Sequence, residues 1–363
     1  MNELEALVAL THIPLLGPVK IRELVKKFGS ASGVFQASYN EWMQLPGFGP
    51  NVCAKIEEGP KKENVERDLE LSKKMGLTLL SFQDARYPKR LLQLHDAPAL
   101  LYIKGEFLEE DDRNIAVVGT RNHTIYGAET AEKIARELTD YGFSVTSGLA
   151  RGIDTSAHRG ALERGRTIAV IGSGLAHIYP TENVQLARKI SEKGVLISEY
   201  PTFFPPAKEH FPRRNRIVSA MSLASVLIEA PIKSGAMITM NLAYDQKRSL
   251  FALPGRVDDE NFKGNHHLIK QGKAKLIEGA EDIALAFGCF KPVKERILRT
   301  EVNGEEKTLL QQMPLQEISI EELALKTNFN ISKLNVLLMG LVLKNIIKEF
   351  PGKIYKVREP LNG

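Results

Sequence analysis

Two glycine-rich turns, each carrying one arginine, contain the residues of this sequence best suited to bind an anion. Both turns follow short apolar runs, at 115–118 and 143–146, that have the composition of buried strands. The small and cationic residues of the two turns are Gly119, Thr120, Arg121, Ser147, Gly148, Arg151 and Gly152. Backbone N–H groups at a turn that enters a helix bind phosphate or carboxylate, and a guanidinium adds positive charge. The two turns therefore predict an anionic ligand.

A third turn of the same kind follows the apolar run 224–228. It contains Lys233, Ser234 and Gly235 and leads into a helical pattern. A small hydroxyl residue and a glycine at a helix start again suit a phosphate or a carboxylate. Tight turns without a ligand would explain any one of these segments, but several on one sheet edge favour a binding site.

The segment 199–216 combines aromatic and basic side chains. Its prolines predict an exposed loop that becomes helical only at about Asn215. The aromatic and basic residues of the segment are Phe203, Phe204, Lys208, His210, Phe211, Arg213, Arg214 and Arg216. Aromatic rings stack on bases and arginines neutralise phosphates, which is how proteins bind single-stranded nucleic acid. The alternative is that the phenylalanines anchor the loop on the core while the arginines are solvated.

The sequence offers no convincing set of catalytic, metal-binding or cofactor-binding residues. Asp154, His158, Glu199 and Glu229 are scattered among different turns, without a Ser-His-Asp order or a carboxylate pair. We expect Asp154 to cap the helix that follows it, with His158 hydrogen-bonded to it. The Gly-Ser-Gly at 172–174 lacks the rest of a dinucleotide-binding GxGxxG, and no P-loop motif is present. We therefore predict no catalytic group, metal or cofactor.

Strand and helix patterns alternate around these turns. Apolar runs resembling strands recur at 115–118, 143–146, 167–171, 195–198, 224–228, 249–253 and 274–277. Helical patterns lie between most of them, which is typical of an α/β fold with a mostly parallel, extended Rossmann-like sheet. In such a sheet the turns after the strands meet at one edge, where ligands bind.

The two ends of the chain have a different character, which predicts domains at 1–66, 67–290 and 304–363. Residues 1–66 form short helices separated by Gly-containing hairpins and resemble an all-α helix-hairpin-helix (SAM-like) domain that either touches DNA or packs on a partner. Residues 304–363 predict three helices and a two-stranded wing that turns at Pro351-Gly352, as in a winged-helix domain. The third helix is mostly apolar, so protein interaction is as good an interpretation as DNA reading.

Charge is concentrated in the central region. Residues 1–70 carry eight Lys/Arg and ten Asp/Glu, 301–363 carry eight of each, and so 71–300 carry 33 against 26. This basic excess coincides with the predicted anion site. No apolar run reaches the ~20 residues of a membrane span. With no basic, apolar leader and only two distant cysteines, Cys53 and Cys289, we expect a cytoplasmic protein.

Several motifs in the central region closely resemble the DNA-processing protein A family (DprA, also called Smf). The resemblance covers about 110–280. The motifs are Gly119-Thr-Arg121, Ser147–Asp154 with Ala157-His158, Tyr179-Pro180 with Asn183, Ser198-Glu-Tyr200, Phe211–Ile217, Ser234–Thr239, Leu253-Pro-Gly255, and Gly264-Asn265 with Leu268-Ile269.

The resemblance implies a non-enzymatic protein that binds and protects incoming single-stranded DNA. It also implies help in loading the RecA recombinase during natural transformation, and a homodimer through the Rossmann-like domain. The family's DNA pocket maps here onto Gly119, Thr120 and Arg121 and onto the segment Phe211, Arg213, Arg214, Asn215 and Arg216. The family usually has serine at position 120, and threonine keeps the hydroxyl.

Two other functions compete with this interpretation. A Rossmann-like nucleoside-monophosphate phosphoribohydrolase would use Arg121 and 234–239 to hold a nucleotide and Glu229 to help cleave it, but its motif requires a glutamate that 232–241 lacks. An adaptor acting through its two end domains would leave the basic centre unexplained.

Overall fold

A computed structural model describes residues 1–290, 303–314, 316–327, 329–344 and 346–357. The chain divides into two compact units, Met1–Glu295 and Arg296–Gly363, which are described separately below.

Short helices form the first part of the larger unit. They are α1 (Glu3–Thr11), α2 (Pro18–Phe28), α3 (Ala31–Gln36), α4 (Tyr39–Met43), α5 (Pro50–Glu58) and α6 (Lys62–Lys74). Both α2 and α5 begin with a proline directly after a glycine. Proline favours the first position of a helix because its missing N–H would have no intrahelical partner there. Each Gly-Pro pair therefore starts a helix.

A nine-stranded sheet follows. Its strands are β1 (Thr78–Ser81), β2 (Leu100–Gly105), β3 (Asn114–Val118), β4 (Ser144–Ser147), β5 (Thr167–Val170), β6 (Val195–Ser198), β7 (Ala224–Leu227), β8 (Ser249–Ala252) and β9 (Lys275–Leu276). Their order across the sheet is β1-β2-β6-β5-β4-β3-β7-β8-β9. The pairs β1–β2 and β2–β6 are antiparallel, and the other pairs are parallel.

Helices connect the strands and cover the sheet. They are α7 (Lys89–Leu92), α8 (Ile125–Asp140), α9 (Ile153–Arg164), α10 (Val184–Lys193), α11 (His210–Met221), α12 (Gly235–Asp245), α13 (Lys263–Lys270) and α14 (Ala280–Ala286). Strands β3 to β7 are buried throughout, as expected for a parallel sheet with helices on both faces. The predicted α/β Rossmann-like fold is confirmed.

The N-terminal helices and the sheet share one hydrophobic core. Leu7 of α1 and Leu24 of α2 belong to the same buried cluster as Tyr102 of β2. A buried polar contact adds to it, since the carboxylate of Asp68 on α6 accepts hydrogen bonds from the Tyr102 hydroxyl (2.6 Å) and from the Thr202 N–H (2.7 Å). The helices are therefore fixed to the sheet and to the loop that follows β6.

In its described residues, the smaller unit contains three helices and three short strands. The elements are α15 (Gly304–Gln312), β10 (Ile318–Ser319), α16 (Ile320–Thr327), α17 (Ile331–Leu343), β11 (Ile347–Phe350) and β12 (Ile354–Val357). The strands pair antiparallel in the order β10-β12-β11 around a separate apolar core. The sequence did not predict β10, which has only two residues. Residues 358–363 of the predicted domain lie outside the described part of the chain.

The segment before β7 differs from its prediction. Helix α11 starts at His210 and not at about Asn215, so Pro212 lies in its first turn. The first four N–H groups of a helix lack intrahelical acceptors, and a proline there removes no hydrogen bond. The residues Phe211–Arg216 are consequently held on a helix and not on an exposed loop. In the described ranges, no helix combines the length and apolar character needed to cross a membrane.

Candidate nucleic-acid interface

The turns predicted to bind an anion meet at one edge of the sheet. The order of the strands reverses between β3 and β7, and in parallel sheets this is where a crevice opens at the carboxyl ends. Backbone hydrogen bonds join the turns there: the Thr120 N–H donates to the Glu229 carbonyl (2.7 Å), and the Ile153 N–H donates to the Thr120 carbonyl (3.2 Å). The turns after β3, β4 and β7 are therefore joined. The surface that they form with the turn after β5 and the start of α11 is called the carboxyl edge below.

Gly152 allows two of these turns to pack together. Its φ of +80° lies in the left-handed region, and a Cβ atom at this position would overlap the carbonyl oxygens of Thr120 and Arg121. A residue with a side chain would push the β3 turn away from the β4 turn. The glycine thus fixes the backbone position from which Arg121 extends.

Arg121 is exposed and lies beside two aromatic rings. Its guanidinium carbon is 5.7 Å from the centroid of the Phe211 ring, which is a cation–π contact. The Phe211 and Tyr179 rings are 5.5 Å apart at an interplanar angle of 40°. Tyr179 is 41% exposed. Phe211 is half-buried, so the group offers a cation beside one exposed and one half-buried aromatic ring, which matches the needs of a phosphate and its base.

The same turns and the start of α11 carry further cations. Arg213 and Lys233 are exposed, and Lys208 precedes them on the loop before α11. Arg151 is exposed too, but its Nε atom forms an ion pair with the Glu182 carboxylate. The hydroxyl of half-buried Ser234 caps α12 by accepting a hydrogen bond from the Met237 N–H (3.3 Å), and exposed Gly235 starts that helix.

Arg214 is buried, contrary to the predicted exposed loop. Its guanidinium donates to the carbonyls of Gly148 and Val170, and its Nε donates to the Asn215 side chain (3.1 Å). A Cβ atom on Gly148 would overlap this guanidinium. Burial lowers the pKa of Arg214 to about 10, so the side chain remains charged at neutral pH. We conclude that Arg214 ties the ends of β4 and β5 together and has no free face for a phosphate.

Arg216 is buried as well. It is paired with the Glu199 carboxylate through Nη2, and its Nε lies 3.0 Å from a carboxylate oxygen of Asp96. The predicted group of three phosphate-binding arginines therefore separates into exposed Arg213 and two internal cations. Asn215 is half-buried, and its side-chain amide donates weakly to the Gly235 carbonyl (3.4 Å).

The β4 turn uses its own polar groups internally. Asp154 is not the helix cap that we expected, because α9 begins after Gly152 and the Asp154 carboxylate accepts hydrogen bonds from the N–H groups of Gly148 (3.1 Å) and Ala150 (3.3 Å). Burial raises the pKa of Asp154, against the attraction of Arg214. Ser147 is also buried and donates to the Val117 carbonyl (2.8 Å). Two of the N–H groups predicted to face a phosphate are therefore already used.

His158 and Glu229 have structural environments. The His158 Nδ1 lies 2.6 Å from the Thr167 hydroxyl and not at Asp154, and burial lowers the pKa of this histidine to about 3. Glu229 is fully buried, and its carboxylate accepts hydrogen bonds from the Thr124 N–H (3.0 Å) and hydroxyl (2.9 Å) at the start of α8. Within the described ranges, no group of three or more His, Cys, Asp or Glu residues could hold a metal ion.

Comparison with known proteins identifies the family. A model of the family described as DNA recombination-mediator protein A matches residues 78–288, more than half of the chain. The chain belongs to this family. The resemblance stated from the motifs is thereby confirmed, and the family supports a role in DNA processing and recombination.

Individual relatives agree with this placement. The chain is 41% identical over 219 residues to the DNA processing protein DprA of Bacillus subtilis, covering 60% of this chain and 73% of that protein. It is 34% identical over 288 residues to protein Smf of a Synechocystis species, covering 78% and 72%.

Two solved structures of the family are similar. The X-ray structure of DprA from Streptococcus pneumoniae has a TM-score of 0.69 at 32% identity and covers 79% of this chain and 98% of that one. DNA processing protein A from Helicobacter pylori, whose structure concerns its binding of single-stranded DNA, has a TM-score of 0.53 at 32% identity and covers 59% and 97%. These similarities do not favour the phosphoribohydrolase alternative, which also needs an accessible Glu229.

Sequence reasoning missed Tyr179 as a member of the family's candidate interface. The sequence placed it after the third strand, and only the packing brings its ring to Phe211. The only signal in the sequence was an aromatic residue on the turn that follows the strand at 167–171.

Proposed function

We propose that this chain binds single-stranded DNA along the carboxyl edge and acts in recombination without catalysing a reaction. The observation that carries the proposal is the group formed by the exposed side chains of Arg121 and Tyr179 and the half-buried ring of Phe211, near the point where the strand order reverses. Arg213 and Lys233 extend its positive charge to either side. A backbone phosphate would bind Arg121, while bases would stack on the aromatic rings.

The predicted site residues fall into two groups, those that contact DNA and those that support the binding surface. Arg121, Arg213, Lys233, Ser234, Gly235 and the rings contact DNA, with Gly119 and Thr120 supplying the backbone beneath Arg121. Buried Ser147, Gly148, Gly152, Arg214 and Arg216 hold that surface in shape. Arg151 would contact DNA only by leaving Glu182.

The proposal extends to partners and to the end domains. The resemblance to DprA and the single-stranded DNA bound by the H. pylori relative support a role in protecting incoming DNA and loading the RecA recombinase in the cytoplasm. A homodimer through the Rossmann-like domain would cover the exposed apolar residues Ile232, Ile238 and Tyr244. We assign residues 1–66 to a helix-hairpin-helix domain and 304–363 to a winged-helix domain, with the region 67–290 carrying the DNA.

Fluorescence anisotropy with a labelled oligothymidylate tests the proposal. We expect binding that weakens between about 50 and 200 mM salt, because phosphate contacts release counterions. Arg121→Ala should weaken binding and make the slope of log K against log salt shallower by about 0.7, the value for one phosphate of a single strand. The variant's deficit would then shrink by a factor of about 2.6 over that salt range.

The matched control is Arg188→Ala on α10. Arg188 is exposed and lies 3.4 Å from the carboxylate of Glu192, so its replacement removes one positive charge away from the carboxyl edge. It should leave the affinity and the slope unchanged. Equal effects of both substitutions would show that only net charge matters, and absence of wild-type binding would refute the proposal.

A further inference from the structure

A cleft separate from the carboxyl-edge surface lies between the N-terminal helices and the loop that follows β6. Its volume is about 350 Å³. The turn between α1 and α2 and the start of β2 supply one side, and residues 199–213 supply the other. The apolar residues of its wall include Leu15, Leu16, Pro18, Ile21 and Phe204. A cleft of this size and composition suits a small, partly polar molecule.

Three polar atoms of the cleft residues lack partners. Glu199 Oε1, the Tyr200 hydroxyl and His210 Nδ1 make no hydrogen bond within the described part of the chain. The Glu199 side chain is 6% exposed and Tyr200 is 7% exposed. Buried polar groups are normally hydrogen-bonded, so three unpaired atoms on residues that line one cleft indicate missing partners.

The surrounding groups do not satisfy Glu199. Its other carboxylate oxygen is paired with Arg216, while Arg213 Nε lies 3.7 Å from Oε1, too far for a hydrogen bond. An ionised carboxylate can only accept hydrogen bonds, so whatever fills the cleft must bring an N–H or O–H donor. The Tyr200 hydroxyl can donate or accept, and its ring stacks on His210 at 4.0 Å.

The cleft adjoins the proposed DNA surface. His210 and Arg213, which line the cleft, occupy the same first turn of α11 as Phe211, whose ring lies beside Arg121 and Tyr179. A strand stacked on Phe211 therefore has a base-sized cleft within reach of its next nucleotides.

We infer that this cleft accepts a single nucleobase that carries an exocyclic amino group, which donates to Glu199. Adenine, cytosine and guanine have such a group and thymine does not. The inference rests on the proposed function for the source of the base, which is the bound strand. The same chemistry would also bind a free nucleotide, and the experiment separates the two sources.

Anisotropy titrations would compare three oligonucleotides of equal length. The first is an oligothymidylate. In the second, every third thymine is replaced by adenine, and in the third the same positions carry a purine that lacks the 6-amino group. We expect the adenine strand to bind about three to ten times more tightly than the amino-free strand, as one hydrogen bond to a buried group provides. Glu199→Gln should abolish this preference, whereas Glu209→Gln, a neighbouring exposed carboxylate, should keep it.

Glu199 is paired with Arg216, so its replacement can disturb folding, and Tyr200→Phe provides a second test. That variant removes a hydroxyl without a described partner and keeps the stacked ring. It should leave oligothymidylate binding unchanged and reduce the preference for adenine over thymine by about threefold or more.

Competition by dAMP and dTMP identifies the source of the base. If dAMP competes better than dTMP and Glu199→Gln removes the difference, free nucleotides enter the cleft. If only strands distinguish adenine from the amino-free purine, the base in the cleft comes from the bound strand. No discrimination in either form would overturn the inference while strand binding stands. Failure to bind any oligonucleotide would instead refute the proposed function.

Discussion

Replacing Arg214 by alanine should lower the free energy of unfolding, because the buried guanidinium of this arginine holds neighbouring parts of the backbone together. The substitution removes the donors to the Gly148 and Val170 carbonyls and leaves the buried Asp154 carboxylate without its nearby cation. Removing one partner of a buried charged pair typically costs about 3–5 kcal/mol. The Asp154 carboxylate keeps its hydrogen bonds from Gly148 and Ala150, which favours the lower half of that range.

Arg213→Ala is the matched control one residue away. The Arg213 side chain is 47% exposed and its ion-pair distance is 3.7 Å, so its loss should change the free energy of unfolding by no more than about 1 kcal/mol. That variant should instead weaken DNA binding.

Urea unfolding followed by tryptophan fluorescence measures the difference. Trp42 is the single tryptophan, is 5% exposed and lies in the core shared by the helices and the sheet, so it reports on the larger unit. Arg214→Ala should lower the urea midpoint by on the order of 1 M. An unchanged midpoint together with lost DNA binding would refute this reasoning and make Arg214 a direct phosphate ligand.

Two further substitutions test the interior beneath the carboxyl edge. The pKa of His158 is about 3 in the folded protein, below its ordinary value of 6.5. As the pH falls below 6.5, the unfolded chain therefore binds a proton at this histidine before the folded protein does. The free energy of unfolding is at its full value above pH 6.5 and falls as the pH drops toward 3. The advantage of wild type over His158→Gln should therefore shrink below pH 6.5 by about 1.4 kcal/mol per pH unit, and a constant gap in urea unfolding would contradict it. Gly152→Ala should destabilise the protein by more than about 1 kcal/mol and weaken DNA binding, because its Cβ would strike the β3 turn. Gly235→Ala, at a position with open space around it, is the control for stability alone, because Gly235 is itself proposed to contact DNA. Equal melting curves for the two variants would exclude the clash.

The sequence predicted the sheet and the edge at which its glycine-rich turns meet because both depend on local patterns. Apolar runs of about five residues followed by glycine-rich turns identify buried parallel strands, and their connections bring the turns to one edge. This reasoning placed Arg121 and Lys233 correctly at that edge.

The environments of the arginines in α11 could not be predicted in this way. Arg214 reaches the Gly148 carbonyl across 66 positions of sequence, and there is room for it only because Gly148 has no side chain. An arginine in such a contact has the same sequence signal as one exposed to DNA. Likewise, the acceptor role of Asp154 depends on the fold of the turn before α9, which a helix-capping pattern does not describe.

The central claim is that a single strand lies across Phe211 and Tyr179 at the carboxyl edge, and photo-cross-linking tests it most directly. An oligothymidylate with bromodeoxyuridine at several positions would be irradiated with the full chain, and the attached peptides would be identified by mass spectrometry. We expect the oligonucleotide to become attached to Phe211 or Tyr179. At a strand concentration near the wild-type Kd, the yield of attachment should be lower for Arg121→Ala than for the wild type. Attachment confined to residues 1–66 or 303–357, with none at these two rings, would contradict it.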